Sequence, residues 1–146
     1  EYASILAFDV DVKEEAEEYA EEFKIKIFRA DIIYHLFDQF TEYYEPKIVS
    51  ELNGQHVKLA KLKGEFVWHS HENEDEMFMV IKGQLTIEFR DKTIILNPNE
   101  FLTVPKGVEH KPVAKEEVWI MLFEPASTEN TGDNPGEMTK QNLDWI

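Results

Sequence analysis

The chain has 146 residues with 30 acidic and 15 basic side chains, a formal charge of -15, and no cysteine. An acidic surface repels nucleic acid and anionic membranes, so neither is expected as a partner. Without cysteine there is no disulfide scaffold, thiolate ligand or thiol nucleophile, and a reducing cytoplasm is the expected location. No apolar run approaches the ~20 residues a membrane helix needs, and the opening Glu1-Tyr2-Ala3-Ser4 lacks the basic start of a secretory signal.

The acidity is uneven, with 13 acidic and 4 basic side chains in residues 1–45. Residues 2–10 are mostly apolar and suit a strand buried on both faces. Asp11 and Glu14 form a capping box, after which Ala16, Tyr19, Ala20 and Phe23 recur at helical spacing. Residues 24–29 read as a second strand, and Asp31 can cap a helix with Ile32, Ile33, Leu36, Phe37, Phe40 and Tyr43 as apolar positions, stopped by Pro46. The order strand, helix, strand, helix predicts two parallel strands joined by a right-handed crossover.

From Pro46 the pattern changes to short strands, over residues 57–62, 65–69, 77–81, 84–90, 93–96, 101–104 and 118–123. Lys82-Gly83 and Asp91-Lys92 read as hairpin turns and Asn97-Pro98-Asn99 as another turn, which predicts an antiparallel jelly roll. The expected fold is therefore mainly β: a jelly-roll β-barrel over residues 46–125, preceded by a βαβα segment over residues 1–45. Residues 126–146 form a C-terminal surface tail that Leu143, Trp145 and Ile146 can dock.

Two stretches of the barrel carry chemistry. Gly64, His69, His71, Glu76 and Gly83 make up the first, and Asn99, Pro105, Gly107 and His110 the second. Strand alternation points His69 and His71 the same way, and Glu76 can join them from beyond a short turn. Neutral imidazoles and one carboxylate hold a divalent first-row metal and leave coordination positions open. At these residues the chain resembles the cupin family, whose signatures are a glycine, an HxH, a glutamate and a glycine, then a PxG and a histidine. Asn99 stands where a glycine is usual, and Ala114 where an asparagine closes the second signature. The resemblance implies His69, His71, Glu76 and His110 as ligands of a divalent metal ion, with Mn, Fe, Ni and Zn all suitable. His35 and His56 fall outside the pattern and are expected to take no part.

Alternation puts Val67, Phe78 and Val80 on the ligand face, joined from the last strand either by Trp119, Met121 and Phe123 or by the opposite register. The pocket is expected to be apolar and aromatic, with Trp119 and Met121 as its contribution from that strand. Arg29 and Arg90, the two arginines, lie outside the ligand motifs, which argues against a phosphosugar, while Lys58, Lys61 and Lys63 keep that option open. No acid or base beyond the four ligands is evident. Isomerisation, hydrolysis or decarboxylation, and dioxygenation are all open to such a centre. A metal-dependent cupin enzyme of isomerase or dioxygenase type, acting on a small, largely apolar oxygen-bearing molecule, is the leading expectation. The alternatives are a non-catalytic small-molecule or metal-binding cupin, and an engineered chimera without selected activity. Barrel edges need cover, so a homodimer is expected.

The front end has a second resemblance. YASILAFDV, EEAEEYA and IKIFRADIIYHLFDQFTEYYE are similar to the end of the third domain of the subunit-joining translation initiation factor GTPase of archaea and eukaryotes. No GxxxxGK[ST] phosphate loop is present, so GTP binding does not follow from it. The chain reads as a fusion of two unrelated parents, natural or engineered.

Overall fold

Two short runs, Ser4–Phe8 (β1) and Lys26–Ala30 (β2), pair in parallel in the computed structural model, with Ser4 opposite Lys26 and Phe8 opposite Ala30. Parallel strands cannot be joined by a tight turn, and Glu14–Glu22 (α1) provides the crossover. Glu14, Glu15 and Glu17 fill its first turn, where the helix dipole favours negative charge, and Ala20 is its buried residue. Ile32–Phe37 (α2) follows, so the expected βαβα order is present. The structure describes residues 4–8, 13–22, 26–30, 32–37 and 43–146. The capping residues Asp11 and Asp31, Phe40, and the side chain of His35 lie outside what is described. The chain divides into two compact units, Glu1–Phe40 and Thr41–Ile146.

The second unit contains Lys47–Leu52 (β3), Gln55–Glu65 (β4), Glu76–Lys82 (β5), Leu85–Phe89 (β6), Thr93–Leu96 (β7), Phe101–Val104 (β8) and His110–Pro125 (β9). Its antiparallel strands run in the order β3-β4-β9-β5-β8, and β6 pairs with both β7 and the start of β9. The 16-residue β9 joins the two halves, because His110 to Val113 pair with β6 while Val118 to Phe123 pair with β4 and β5. Inner faces alternate as the pleat requires: Ala60 and Leu62 of β4, Phe78 and Val80 of β5, and Ile120 and Leu122 of β9 belong to one buried core. The opposite face of this sheet carries Met77, Met79, Phe101, Met121 and Phe123, of which Phe101 is 65% exposed.

Several expected connections differ. β3 lies outside the predicted strands, yet Asn53 and Gly54, with φ of 53° and 76°, form a two-residue link that sets Leu52 opposite Gln55. Lys82-Gly83 is not a hairpin, since β5 and β6 do not pair. The chain crosses there from one half to the other, and a Cβ on Gly83 would lie 2.6 Å from the carbonyl oxygen of Glu117. Asp91-Lys92 does close a hairpin between β6 and β7. Asn99 has φ 68°, a left-handed conformation that asparagine tolerates in place of glycine. The strand expected over residues 65–69 stops at Glu65, and His69 keeps only an isolated bridge to His110.

Residues 126–146 dock instead of trailing. Ala126 N–H donates to Gly54 O at 2.9 Å, Asp133 N–H to Ser70 O at 2.9 Å and Ile146 N–H to Ile48 O at 3.0 Å, while Thr128 and Thr131 are buried. Gly132 makes this path possible: a Cβ there would stand 2.0 Å from the backbone oxygen of Ser70 and 3.0 Å from His71 Nδ1. Gly132→Ala should therefore lift the segment from the HxH stretch and destabilise the unit by about 1–3 kcal/mol. Faster amide exchange at Asp133 with a lower melting temperature is the expected result, and an unchanged protein would contradict it. No helix among the described residues is long and apolar enough to cross a membrane.

Candidate metal centre

Backbone pairing brings the two signatures together. His69 N–H donates to His110 O at 3.0 Å and His110 N–H to His69 O at 2.9 Å, while Gly107 N–H donates to His71 O at 2.7 Å. Glu76 opens β5 and His110 opens β9, so two strand ends and one anchored loop supply the four side chains. All four are buried, and one ligand atom from each lies within 4.8 Å of every other.

The hydrogen bonds define what the cluster lacks. His69 Nδ1 lies 3.0 Å from Val67 O, and His110 Nδ1 lies 3.1 Å from Val108 O. Each Nδ1–H donates to its carbonyl, so in the neutral ring each Nε2 turns a lone pair toward Glu76. His110 Nε2 is 3.1 Å from Glu76 Oε2, His71 Nε2 is 3.2 Å away and His69 Nε2 is 4.0 Å away. Nε2 of His69 and Nε2 of His71 have no hydrogen-bond partner, the short His71 contact lacking hydrogen-bond geometry. Acceptors converging without donors need a proton or a cation between them. Donors about 2.1 Å from a metal ion stand roughly 3.0–3.5 Å apart at neighbouring corners, so the donor set fits a divalent ion.

Protonation follows the same geometry. Burial, reinforced by His110, lowers the His69 pKa to about 4, leaving it neutral at physiological pH. Burial acts the same way on His71, but the Glu76 carboxylate 3.2 Å away outweighs it and raises its pKa. Glu76 is held well below the usual carboxylate range, because His110 and His71 overcome its burial. A metal ion would take the place of the proton that Glu76 favours on His71.

Beside the cluster is a cavity of about 30 Å³, lined by His69 and Glu76 with Tyr44, Phe66, Phe78, Ile120, Leu122 and Asn130 among others. That is room for one water. Of the expected pocket residues, Phe78 lines it and Val80 is fully buried in the core behind it. Val67 lines a separate cavity against residues 131–138. β9 takes the opposite register to the one expected: Ile120 and Leu122 face inward, and Trp119 and Met121 lie on the other face. There the Trp119 ring is 5.2 Å from Lys61 Nζ and 4.3 Å from Lys82 Nζ. His56 is away from the cluster, on β4.

A second group of charged side chains escaped the sequence reading. Lys58 Nζ is 2.7 Å from Glu124 Oε1 and donates also to Thr128 O at 3.2 Å, with both charged side chains 2% exposed. Glu124 Oε2 has no partner. Burial, then the charge of Glu76, raise the Glu124 pKa to about 8 against the opposing pull of Lys58. Parity was the available signal: Lys58 alternates with Ala60 and Leu62, and Glu124 with Ile120 and Leu122.

The Cupin domain family profile matches residues 55–123, and the profile of Translation-initiation factor 2 matches residues 1–41. A crystal structure of a cupin-2 domain containing protein from Shewanella frigidimarina is 48% identical, covering 63% of this chain and 90% of that one with a TM-score of 0.62. Uncharacterized protein YdbB of Bacillus subtilis is 45% identical over 64 residues, 43% of this chain and 57% of that protein. Eukaryotic translation initiation factor 5B of Saccharomyces cerevisiae is 63% identical over 51 residues, 35% of this chain and 5% of that protein. The chain thus spans little over half of one curated relative and a small piece of the other. With both signatures on one barrel and nearly all of a cupin structure matched, the chain belongs to the cupin family and has, ahead of its barrel, a segment similar to translation-initiation factor 2.

Proposed function

We propose that this cupin holds one divalent first-row metal through His69, His71, Glu76 and His110, and that the centre binds or transforms a small, largely apolar oxygen-bearing molecule. The observation that supports it is the facing of Nε2 lone pairs onto a buried carboxylate at 3.1–4.0 Å. A bound metal would supply Lewis acidity and a water of lowered pKa. The protein's own part is to fix the imidazole tautomers through Val67 O and Val108 O and to surround the centre with Phe66, Phe78, Ile120 and Leu122. Elemental analysis of purified protein should give close to one metal per protomer, and less than about a tenth of that after reloading with Mn, Fe, Ni or Zn would refute the reading.

Turnover by a metal-dependent isomerase or dioxygenase requires a substrate to enter. The 30 Å³ cavity admits a water and no such molecule, which favours a second reading, a non-catalytic metal-binding cupin. Metal-dependent loss of substrate in a panel of small ketones, enediols and catechols, abolished by chelator, selects the enzyme; its absence selects the non-catalytic cupin.

Assembly is part of the same proposal. Met77, Met79, Phe101, Met121 and Phe123 on one sheet face suit a two-fold contact between copies, giving a homodimer. Light scattering at micromolar concentration should give twice the chain mass, and Phe101→Glu should give a monomer. The division of labour is testable as well. A chain beginning at Thr41 keeps every strand of the barrel and its docked tail, so it should retain full metal content, and loss of metal from the folded fragment would contradict that division.

A further inference from the structure

Every residue that lines the cavity beside the metal cluster is buried except Tyr44 and Asn130, so these two separate it from solvent. Asn130 is held through both ends of its amide: Nδ2 donates to Met138 O at 2.8 Å, and Oδ1 accepts from Lys140 N–H at 2.8 Å. The tip of Tyr44 has no such tie. Its hydroxyl oxygen is buried without a hydrogen-bond partner, 3.6 Å from where a Cβ on Gly64 would stand. The Lys63 backbone is near that oxygen but gives it no hydrogen bond of normal geometry.

The backbone aims this ring inward against its own preference. Tyr44 has φ 59°, a left-handed conformation in which a bulky side chain is an outlier. Such strain persists where the surroundings enforce it, and it gathers at binding sites. Here Tyr44 N–H donates to Lys61 O at 2.9 Å, the Tyr43 hydroxyl donates to Glu117 Oε2 at 2.7 Å, and buried Pro46 follows. The Tyr44 ring then stacks on Phe66, with centroids 5.2 Å and planes 20° apart, and Phe66 meets His69 edge-on at 5.3 Å. Stacking favours the inward pose. The hydroxyl without a partner opposes it, because turning outward gives it water.

We propose that Tyr44 is the gate of this cavity and determines what reaches His69 and the rest of the cluster. Turned inward, the ring leaves room for a water. Turned outward about its side-chain bonds, with the backbone still pinned to Lys61, it uncovers a path along Phe66 to His69. What the admitted molecule meets there rests on the reading of the cluster as a metal centre, whereas access to His69 is a property of the fold alone.

The test is the rate at which diethyl pyrocarbonate modifies His69 in the metal-free full chain at neutral pH, read by peptide mass spectrometry. The reagent exceeds a one-water cavity, so it reaches His69 Nε2, which has no partner, only when the gate is open. His56, which does not line this cavity, is the internal reference. Tyr44→Gly removes the ring at a residue that accepts left-handed φ, and should raise the His69 rate relative to His56 by about tenfold or more. Tyr44→Phe keeps the stacking ring but lacks the hydroxyl that favours the outward pose, and should lower the His69 rate about tenfold. Loosening of the fold cannot slow the reaction, so Tyr44→Phe keeps the test decisive if Tyr44→Gly disturbs the barrel. An unchanged His69 rate in Tyr44→Gly, or a Tyr44→Phe rate that is not below wild type, overturns the proposal. Cobalt content of the same proteins tests the metal reading separately: cobalt bound with His69 rates indifferent to Tyr44 removes the gate alone, and gated rates without cobalt binding remove the metal centre alone.

Discussion

Replacing His69, His71 or His110 by alanine is expected to lower metal affinity by more than about 100-fold, beyond what loss of an outer-shell partner causes. His56→Ala should leave metal content unchanged. The difference follows from placement: the first three turn nitrogens onto Glu76 within 4.0 Å, whereas His56 is away from the cluster, on β4. pH should act through His71. His69, lowered to about 4, is ready to bind at neutral pH, but His71 must give up a proton that Glu76 helps it keep. Metal affinity should therefore rise with pH and level off once His71 is neutral. Stability of the metal-free protein carries the signature of His69 in the opposite region. Between about pH 6.5 and 4 the unfolded chain binds a proton at this position that the fold excludes, so stability falls as pH drops through that window, by roughly 3 kcal/mol. Isothermal titration with Zn or Co at several pH values measures the first effect, and denaturant midpoints with chelator the second. Equal metal content in all four variants would remove the site from these residues.

Much of this centre was legible in the sequence because its spacing is local. His69 and His71 are two residues apart, and the glycines, prolines and glutamate around them mark turns and strand ends, so the four side chains that cluster in the fold are the ones the cupin resemblance singles out. What was not legible depends on partners distant in sequence. The register of β9 was ambiguous because Trp119, Ile120, Met121, Leu122 and Phe123 are all apolar, and alternation cannot choose a face when both faces are apolar. The choice is made by β4 and β5, which put Ala60 opposite Ile120 and Phe78 opposite Leu122. β3 was missed although its signal was present, since Asn53-Gly54 is the dipeptide that a two-residue hairpin favours. The docking of residues 126–146 rests on backbone bonds to Gly54, Ser70 and Ile48, which composition does not reveal.

Glu124 and Lys58 should give the largest stability effects in the barrel. Glu124→Leu leaves the Lys58 ammonium buried without its partner and is expected to cost about 3–5 kcal/mol, a fall of roughly 10–20 °C in melting temperature, whereas Lys58→Met leaves a carboxyl that keeps its proton and should cost about 1–3 kcal/mol. The double replacement should recover most of that, because apolar residues of similar volume in place of a buried pair are neutral or stabilising. The pair is therefore not there to hold the barrel together. Its pH behaviour follows from the raised pKa of Glu124, pushed to about 8 by burial and by Glu76. Folded Glu124 keeps a proton that the unfolded chain gives up near pH 4, so its contribution to stability is present below that value and is lost as pH rises toward 8. Glu124→Gln should flatten this slope in chelator-treated protein. Loading with metal should flatten it as well, since a cation on Glu76 cancels the charge that pushes on Glu124. Melting temperatures from pH 5 to 8.5, with and without metal, separate the cases. If Glu124→Gln and wild type show parallel slopes without metal, the electrostatic link between Glu124 and Glu76 is absent. If the double variant is as unstable as the single ones, the pair does hold the fold together, through packing that apolar side chains cannot supply.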